Sequence, residues 1–576
     1  MEKSNTYINN IGTNLSELSY NIIIFIPEIF LGISLIILLG YGVIYSKIGG
    51  LVSQLKKITN LTILSLIIAI YLIVDLNINI LNNISNTSEI ISTVLNTEII
   101  STTLNNKIEN KNLIMSHSVG SIDNLTLLVK IIIIISAIAI LIMSKGVYSN
   151  KKEKIIDYEY TQLIMLSTLG MLLLVSSRDL IIMYLSIETV SLSLYILAAI
   201  RKTGQLSTEA GLKYFILGAL SSGLLLFGCA LIYITTGLID FNSLTYFIYN
   251  NISNNLVGIE IGAIFIIFAI LFKLAAAPFH MWAPDVYEGS PTIVTAYFAI
   301  VPKISILIIL TTLIYGPFIG IFNTVIKPLI IISGILSVII GSIGALNQTK
   351  IKRLLAYSAI GHMGIILLGL TPGTIQSLQA SLIYIILYIV MSLNTFALVI
   401  IYYNKYVNTL STSDKSHYIS EFSGLSRKEP VLAGTFALSL LSIAGIPPLA
   451  GFWSKYLILL TLIENDMNLI ALLTILFSVI GCFYYIRIIQ WMYFKNNNLY
   501  AIKDLADIAY SRITKNNTII IEKENNERKE SQSIKGKMSL GTILILGWTF
   551  YLILTFLIYP NPLLIITFDT LINTFI

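Results

Sequence analysis

Charge is scarce in this sequence. Asp, Glu, Lys and Arg together supply only 11% of 576 residues, against about 25% in soluble domains. That excludes a globular domain carrying a single anchor. Cysteine is nearly absent as well. Cys229 and Cys482 both sit in apolar segments, so a disulfide framework and a cysteine-built metal or iron–sulfur site are excluded. There is no dinucleotide-binding fingerprint and no convincing haem ligation. The opening MEKSNTYINNIGTNLSELSY contains Glu2 and Glu17 and lacks the Arg-rich, acid-poor character of a transit peptide. The excess of basic residues, +6, has meaning only by position. In a membrane chain it reports topology rather than nucleic-acid binding.

What is present is apolar surface, with 56% of residues hydrophobic. Apolar runs of about 20 residues recur from end to end, which predicts membrane-spanning helices rather than a barrel. The expected spans are 22–45, 58–80, 124–145, 156–176, 179–200, 210–237, 258–286, 291–315, 325–346, 352–371, 377–403, 431–462, 468–494 and 538–559. The fold class is therefore an all-α polytopic membrane protein of about fourteen helices. The connecting segments alternate in charge. The first, third, fifth, ninth and thirteenth are basic, and the even-numbered ones are neutral or acidic. The positive-inside rule then puts the odd connections on the cytoplasmic or matrix side and both termini on the other. The seventh connection, with Asp285 and Glu288, is the exception. Segments 81–123 and 495–537 read as polar surface loops with some disorder. Heavy use of Ile, Asn and Lys suggests an AT-biased genome such as that of an organelle.

Against this background four ionisable residues stand out inside apolar runs: Glu188, Lys273, Lys303 and Lys455. Each costs about 2.5–3.5 kcal/mol at the bilayer centre on insertion scales. They must face protein or water, and each other is the expected compensation. Arg178 is ten residues from Glu188, about 15 Å along a helix, and too far for direct contact. Lysine suits a switchable proton site. Burial favours the neutral amine, a nearby carboxylate favours the ammonium, and arginine does not deprotonate. Glu188 beside Lys273 would form such a pair.

Prolines mark two helix breaks. Pro278 follows Lys273 by five residues, and Pro447 and Pro448 precede Lys455 by eight and seven. Proline removes a backbone donor, and broken backbone at membrane depth lines a cavity or is buried in protein. KLAAAPFHMWAPD and IAGIPPLAGFWSK run parallel, from small residues through proline to an aromatic–polar tail. Paired breaks of this kind mark the route in many carriers, so 156–315 and 325–494 read as two five-helix repeats. They are flanked by three N-terminal helices within 1–150, the loop 495–537, and a C-terminal helix and tail in 538–576. His280 and His362 are candidate relays or satisfied core histidines. Lys213 is either a basic helix flank or a link from Glu188. His117 and His417 fall in loops.

Residues PFHMWAPDVYEGSPT (278–292), LKYFILGALSSG (212–223), NQTKIKRLLAYSAIGHMG (347–364) and AGIPPLAGFWSKYLIL (444–459) resemble subunit 2 of the proton-pumping NADH:quinone oxidoreductases, respiratory complex I. Related antiporter-like subunits share Pro278, His280 and Trp282 but differ after Asp285. The resemblance implies two inverted five-helix repeats, each with a broken helix. It also implies that Glu188 pairs with Lys273, that Lys303 bridges, that Lys455 lies toward the outlet, and that His280, His362 and Lys213 are further polar positions. It implies no cofactor or metal on this chain. NADH, FMN, iron–sulfur clusters and ubiquinone would belong to partner subunits. Expected partners are neighbouring antiporter-like and small membrane-arm subunits and membrane lipids, with no nucleic acid. The expected location is the mitochondrial inner membrane, with the bacterial inner membrane as the alternative. A cation/proton antiporter subunit and a scaffold whose buried charges only bind neighbours are the rival readings.

Overall fold

The computed structural model describes residues 25–46, 57–76, 123–148, 158–201, 204–250, 257–403, 405, 418–495 and 540–575. Expectations for 81–122, for 496–537 and for His117 and His417 lie outside these. The described residues are helical, with no β-strand and two isolated bridges.

The long helices, in chain order, are α1 (Ile26–Ser46), α2 (Lys57–Leu76), α3 (Asn124–Tyr148), α4 (Tyr158–Ser176), α5 (Leu180–Ala198), α6 (Gln205–Thr236), α7 (Val257–Leu274), α8 (Thr292–Tyr315), α9 (Lys327–Leu346), α10 (Ile351–Leu370), α11 (Ile375–Tyr402), α12 (Pro430–Ala444), α13 (Ala450–Glu464), α14 (Asn468–Tyr493), α15 (Leu540–Ile558) and α16 (Asn561–Phe575). Twelve are long and apolar enough to cross a membrane alone, and α15 with α16 forms a bent pair. Helices α12 and α13 have 15 residues each, about 22 Å. Each is short of the roughly 30 Å hydrocarbon core, so they read together as one interrupted crossing.

Both spans expected to be interrupted near their prolines are divided. The first ends at Leu274 and resumes as a short helix, Trp282–Gly289. The second is α12 with α13. The tail after 559 forms a further helix, α16. Gln379 on α11 holds α16 in place by donating to the Leu564 carbonyl at 2.9 Å.

The ends of the helices sort into two groups. Arg178 pairs with Asp123, and Asp179 bridges to Asp240, which joins the connections before α3, before α5 and after α6. At the other end Lys350 bridges to Tyr418, and Lys405 pairs with Glu429. Asp285 and Glu288 belong to this second group. Lys350 and Arg353 pair with Glu288, while Lys213 and Arg353 pair with Asp285. The acidic seventh connection is thus neutralised locally by the basic residues that flank it, which removes its conflict with the charge pattern.

At the centre lies α8, every residue of which from Ile293 to Ile314 is buried. It packs against α3, α4 and α11. Small residues let neighbouring backbones approach, as between α6 and α7, where a Cβ on Gly228 would lie 2.7 Å from the Gly262 carbonyl oxygen.

Candidate functional site: a series of buried polar side chains

The series starts on α5. Asp179 caps this helix by accepting from Ile181 N at 3.1 Å. Glu188, Ser191 and Tyr195 then recur at i, i+3 and i+7, and so share a face. Ser191 Oγ lies 3.3 Å from Glu188 Oε2. Tyr195 Oη accepts from Lys273 Nζ at 3.0 Å.

A direct Glu188–Lys273 pair was expected, and the structure places a phenol at Lys273 instead. Among the described residues the two make no ion pair. The reason is position along α5. Tyr195 stands about two turns beyond Glu188, level with the last turn of α7 where Lys273 sits.

The backbone at Lys273 explains the break. Helix α7 stops because Ala275 adopts a left-handed φ of +59°, three residues before Pro278. The Phe272 carbonyl that this leaves near the helix end accepts from Trp282 Nε1 at 2.9 Å. Pro278 itself is exposed, in an interruption already begun at Ala275.

Lys273 and Lys303 line one cavity together with Ser191, Tyr214, Trp282 and Tyr287. Its volume, about 20 Å³, is room for one water molecule. Lys303 lies mid-α8, next to Pro302, and is only 3% exposed. Its Nζ is 5.3 Å from the Tyr388 ring centroid, a cation–π distance.

Tyr388 leads to His362, with ring centroids 5.4 Å apart. His362 is buried and engaged on both nitrogens, Nδ1 with Tyr384 Oη at 2.8 Å and Nε2 with Tyr485 Oη at 3.2 Å. A neutral imidazole has one donor and one acceptor, so one tyrosine donates and the other accepts. On α14, Cys482 stands one turn before Tyr485. Its Sγ lies 3.4 Å from the Ala444 carbonyl oxygen, to which Lys455 Nζ also donates at 2.6 Å. The break at Pro447 and Pro448 thus frees a carbonyl that Lys455 uses. Helix α12 ends with Gly445 at φ +87°, the counterpart of Ala275.

Comparison with known proteins places these elements in a family. The family model described as NADH:quinone oxidoreductase/Mrp antiporter, TM, matches residues 177–481. An NADH-ubiquinone oxidoreductase chain 2 from Marchantia polymorpha is 37% identical over 94% of this chain and 96% of its own length. One from Metridium senile is 43% identical over 70% and 94%. An NADH-quinone oxidoreductase subunit N from Pelagibacter ubique is 38% identical over 77% and 84%. The chain belongs to the complex I subunit 2 family. A chain in the respiratory complex I of Thermus thermophilus with bound aureothin has the same fold, with a TM-score of 0.66 at 22% identity over 94% of this chain and 98% of that one. So does a chain of the archaeal membrane-bound sulfane sulfur reductase, at TM-score 0.69 and 20% identity over 96% and 97%.

Two candidate positions of this subunit 2 family member stand apart from the series. Among the described residues Lys213 makes no hydrogen bond or ion pair with Glu188. Its Nζ pairs with Glu209 at 2.8 Å and Asp285 at 3.1 Å, and its side chain is 43% exposed. It is a basic helix flank within the charged cluster. His280 is buried, but its Nδ1 has no hydrogen-bond partner among the described residues, and it touches none of the three lysines.

Reading charge in apolar runs missed a pair that the same rule could have found. Glu28 on α1 and Lys130 on α3 form an ion pair at 2.6 Å, both side chains 2% exposed. The tyrosines at 195, 384, 388 and 485 gave no such signal, because a tyrosine in a membrane helix breaks no rule of composition.

Proposed function

We propose that this chain is a proton-translocating membrane-arm subunit of an NADH:quinone oxidoreductase complex. The observation that carries the reading is one alignment. Glu188, Lys273, Lys303, His362 and Lys455, each costly in a membrane, follow one another through α5, α7, α8, α10 and α13, with hydroxyl groups between them. A proton held on Lys273 passes toward Lys303 through the cavity they share. The His362 unit, with one tyrosine donating and one accepting, can hand a proton onward by exchanging ring tautomers. Lys455 takes the last place, at the second break. The series spans both proposed repeats, 156–315 and 325–494, and the two helix ends at Ala275 and Gly445 support their equivalence.

Moving one charge against 100 mV costs about 2.3 kcal/mol, so the lysines must be switched from outside. Partner subunits supply that energy. NADH, FMN, iron–sulfur clusters and ubiquinone reside on those partners, and this chain contributes no redox step. Its neighbours are further antiporter-like and small membrane subunits together with lipid. The membrane is the mitochondrial inner membrane, with the end that carries Lys350 and Arg353 facing the matrix and both termini facing the intermembrane space. The bacterial inner membrane is the alternative.

The test is Lys273→Ala in the assembled complex, in sealed membrane vesicles. Assembly and NADH binding persist while proton uptake driven by NADH is lost. Fully coupled pumping by this variant overturns the reading.

A further inference from the structure

Each of the three lysines meets a different kind of partner. Lys455 meets a backbone carbonyl and Lys303 an aromatic face, whereas Lys273 meets a phenol hydroxyl. The difference matters if Lys273 exchanges a proton. A carboxylate only accepts hydrogen bonds, so it satisfies an ammonium and offers no donor to a neutral amine. A phenol both donates and accepts. Tyr195 Oη can accept from Lys273 when it is charged. It can donate to the amine lone pair once the proton has gone. Ionised Glu188 can do only the first.

The site around this hydroxyl is built for it. Tyr214 meets the Tyr195 ring edge-on at 4.7 Å and 85°, and Phe215 does so at 5.9 Å and 84°. The third wall is Gly218, one turn further along α6. A Cβ there would come within 2.7 Å of Tyr195 Cε1 and would overlap the hydroxyl itself. Three residues of one helix face thus line the ring and hydroxyl of Tyr195, and Lys273 meets that hydroxyl. Ser191, one turn back on α5, lies between Glu188 and Tyr195, 3.3 Å from Glu188 Oε2 and within hydrogen-bonding reach of Tyr195.

We infer that Tyr195 is the positioning residue for Lys273: its hydroxyl is the partner that Lys273 keeps in both protonation states, and Gly218 preserves the space this hydroxyl occupies. The inference rests on the reading of Lys273 as a proton carrier. Tyr195 holds Lys273 apart from Glu188, so that contact between the two charges becomes a separate state of the cycle rather than its resting point.

The experiment compares Tyr195→Phe, Gly218→Ala and wild type in the assembled complex in sealed vesicles, with Lys273→Ala and Glu188→Gln as controls. Rates are expressed per assembled complex. Tyr195→Phe keeps the ring and removes only the oxygen. It is expected to retain assembly, to lower pumping about fivefold, and to displace the pH profile of pumping. Gly218→Ala displaces the profile in the same direction, and the double variant goes no further than Tyr195→Phe alone. If the two controls pump normally, the fault lies with Lys273 as carrier. If the controls fail while Tyr195→Phe matches wild type in rate and profile, the inference is overturned. A lower rate with an unchanged profile also overturns it, because loss of packing alone gives that pattern.

Discussion

Lys455 Nζ lies 2.6 Å from the carbonyl oxygen of Ala444, the last residue of α12. Lysine and carbonyl come from the two sides of one break, so the interruption of the helix and the placement of the charge are a single feature. Gly445 is the hinge. Its φ of +87° favours glycine, and a Cβ there would stand 2.8 Å from Lys455 Cδ and 2.9 Å from Nζ. Gly445→Ala is expected to cost about 1–2 kcal/mol for the left-handed backbone and to push Lys455 off its acceptor. NADH-driven proton uptake should fall several-fold. Gly434→Ala is the control. The nearest atom to its Cβ is Tyr493 Oη at 4.0 Å, so inside α12 it should stabilise by about 0.5–1 kcal/mol and leave pumping intact.

The first break lends itself to the converse substitution. Ala275 holds φ +59° with a side chain, a conformation that costs a non-glycine residue about 1–2 kcal/mol. Ala275→Gly removes that cost. It also loses one buried methyl, worth about 0.8 kcal/mol, and adds chain entropy in the unfolded state. The expected net change is within about 1 kcal/mol, readable as a small shift in the thermal midpoint of the detergent-solubilised complex. A loss above about 2 kcal/mol would mean that the methyl packing, not the backbone, governs this position.

His362 is held between two phenols, so each should matter separately. Tyr384→Phe and Tyr485→Phe each leave one ring nitrogen buried without a partner, a penalty of about 1–3 kcal/mol. Pumping is expected to fall about tenfold in either variant while the rate of NADH oxidation by the partner subunits falls less. Because both bonds serve one imidazole, the double variant should be less impaired than the product of the two singles. Strict additivity, measured as proton uptake per electron pair, would show that the tyrosines act independently of His362.

Much of this is legible in the sequence. Runs of about 20 apolar residues gave the crossings, and four charges out of place gave Glu188, Lys273, Lys303 and Lys455. What escaped did so for physical reasons. Helix α7 ends at Ala275 rather than at Pro278, and nothing in an alanine announces a left-handed φ, whereas Gly445 at the second break could have been read. For Lys213 the sequence leaves a helix flank and a link to Glu188 both open, because its partners, Glu209 and Asp285, include one that only the tertiary fold brings near. The phenols at 195, 384 and 485 are uncharged, so a search for misplaced charge passed over the groups that connect the misplaced charges. Glu28 and Lys130 were missed for a different reason. Each lies in the first two turns of its helix, where a charge is easily taken for a flank.

That pair gives the last prediction. Glu28 and Lys130 are each 2% exposed and 2.6 Å apart, and neither touches the series that runs from Glu188 to Lys455. Two roles are open to such a pair, a static lock between α1 and α3 or a second proton site, and they differ in what a matched substitution does. Removing one partner strands a buried charge at a cost of about 3–5 kcal/mol, so Glu28→Leu and Lys130→Met alone are both expected to reduce the amount of assembled complex. Combining them leaves no charge to strand. Apolar replacement of a buried pair is often neutral or stabilising, so the double variant should recover assembly on a native gel. Among the described residues the two form an ion pair only with each other, which favours the lock. The double variant should therefore also pump at the wild-type ratio of protons to electrons. Recovery of assembly without recovery of pumping would instead make Glu28 and Lys130 part of the proton route.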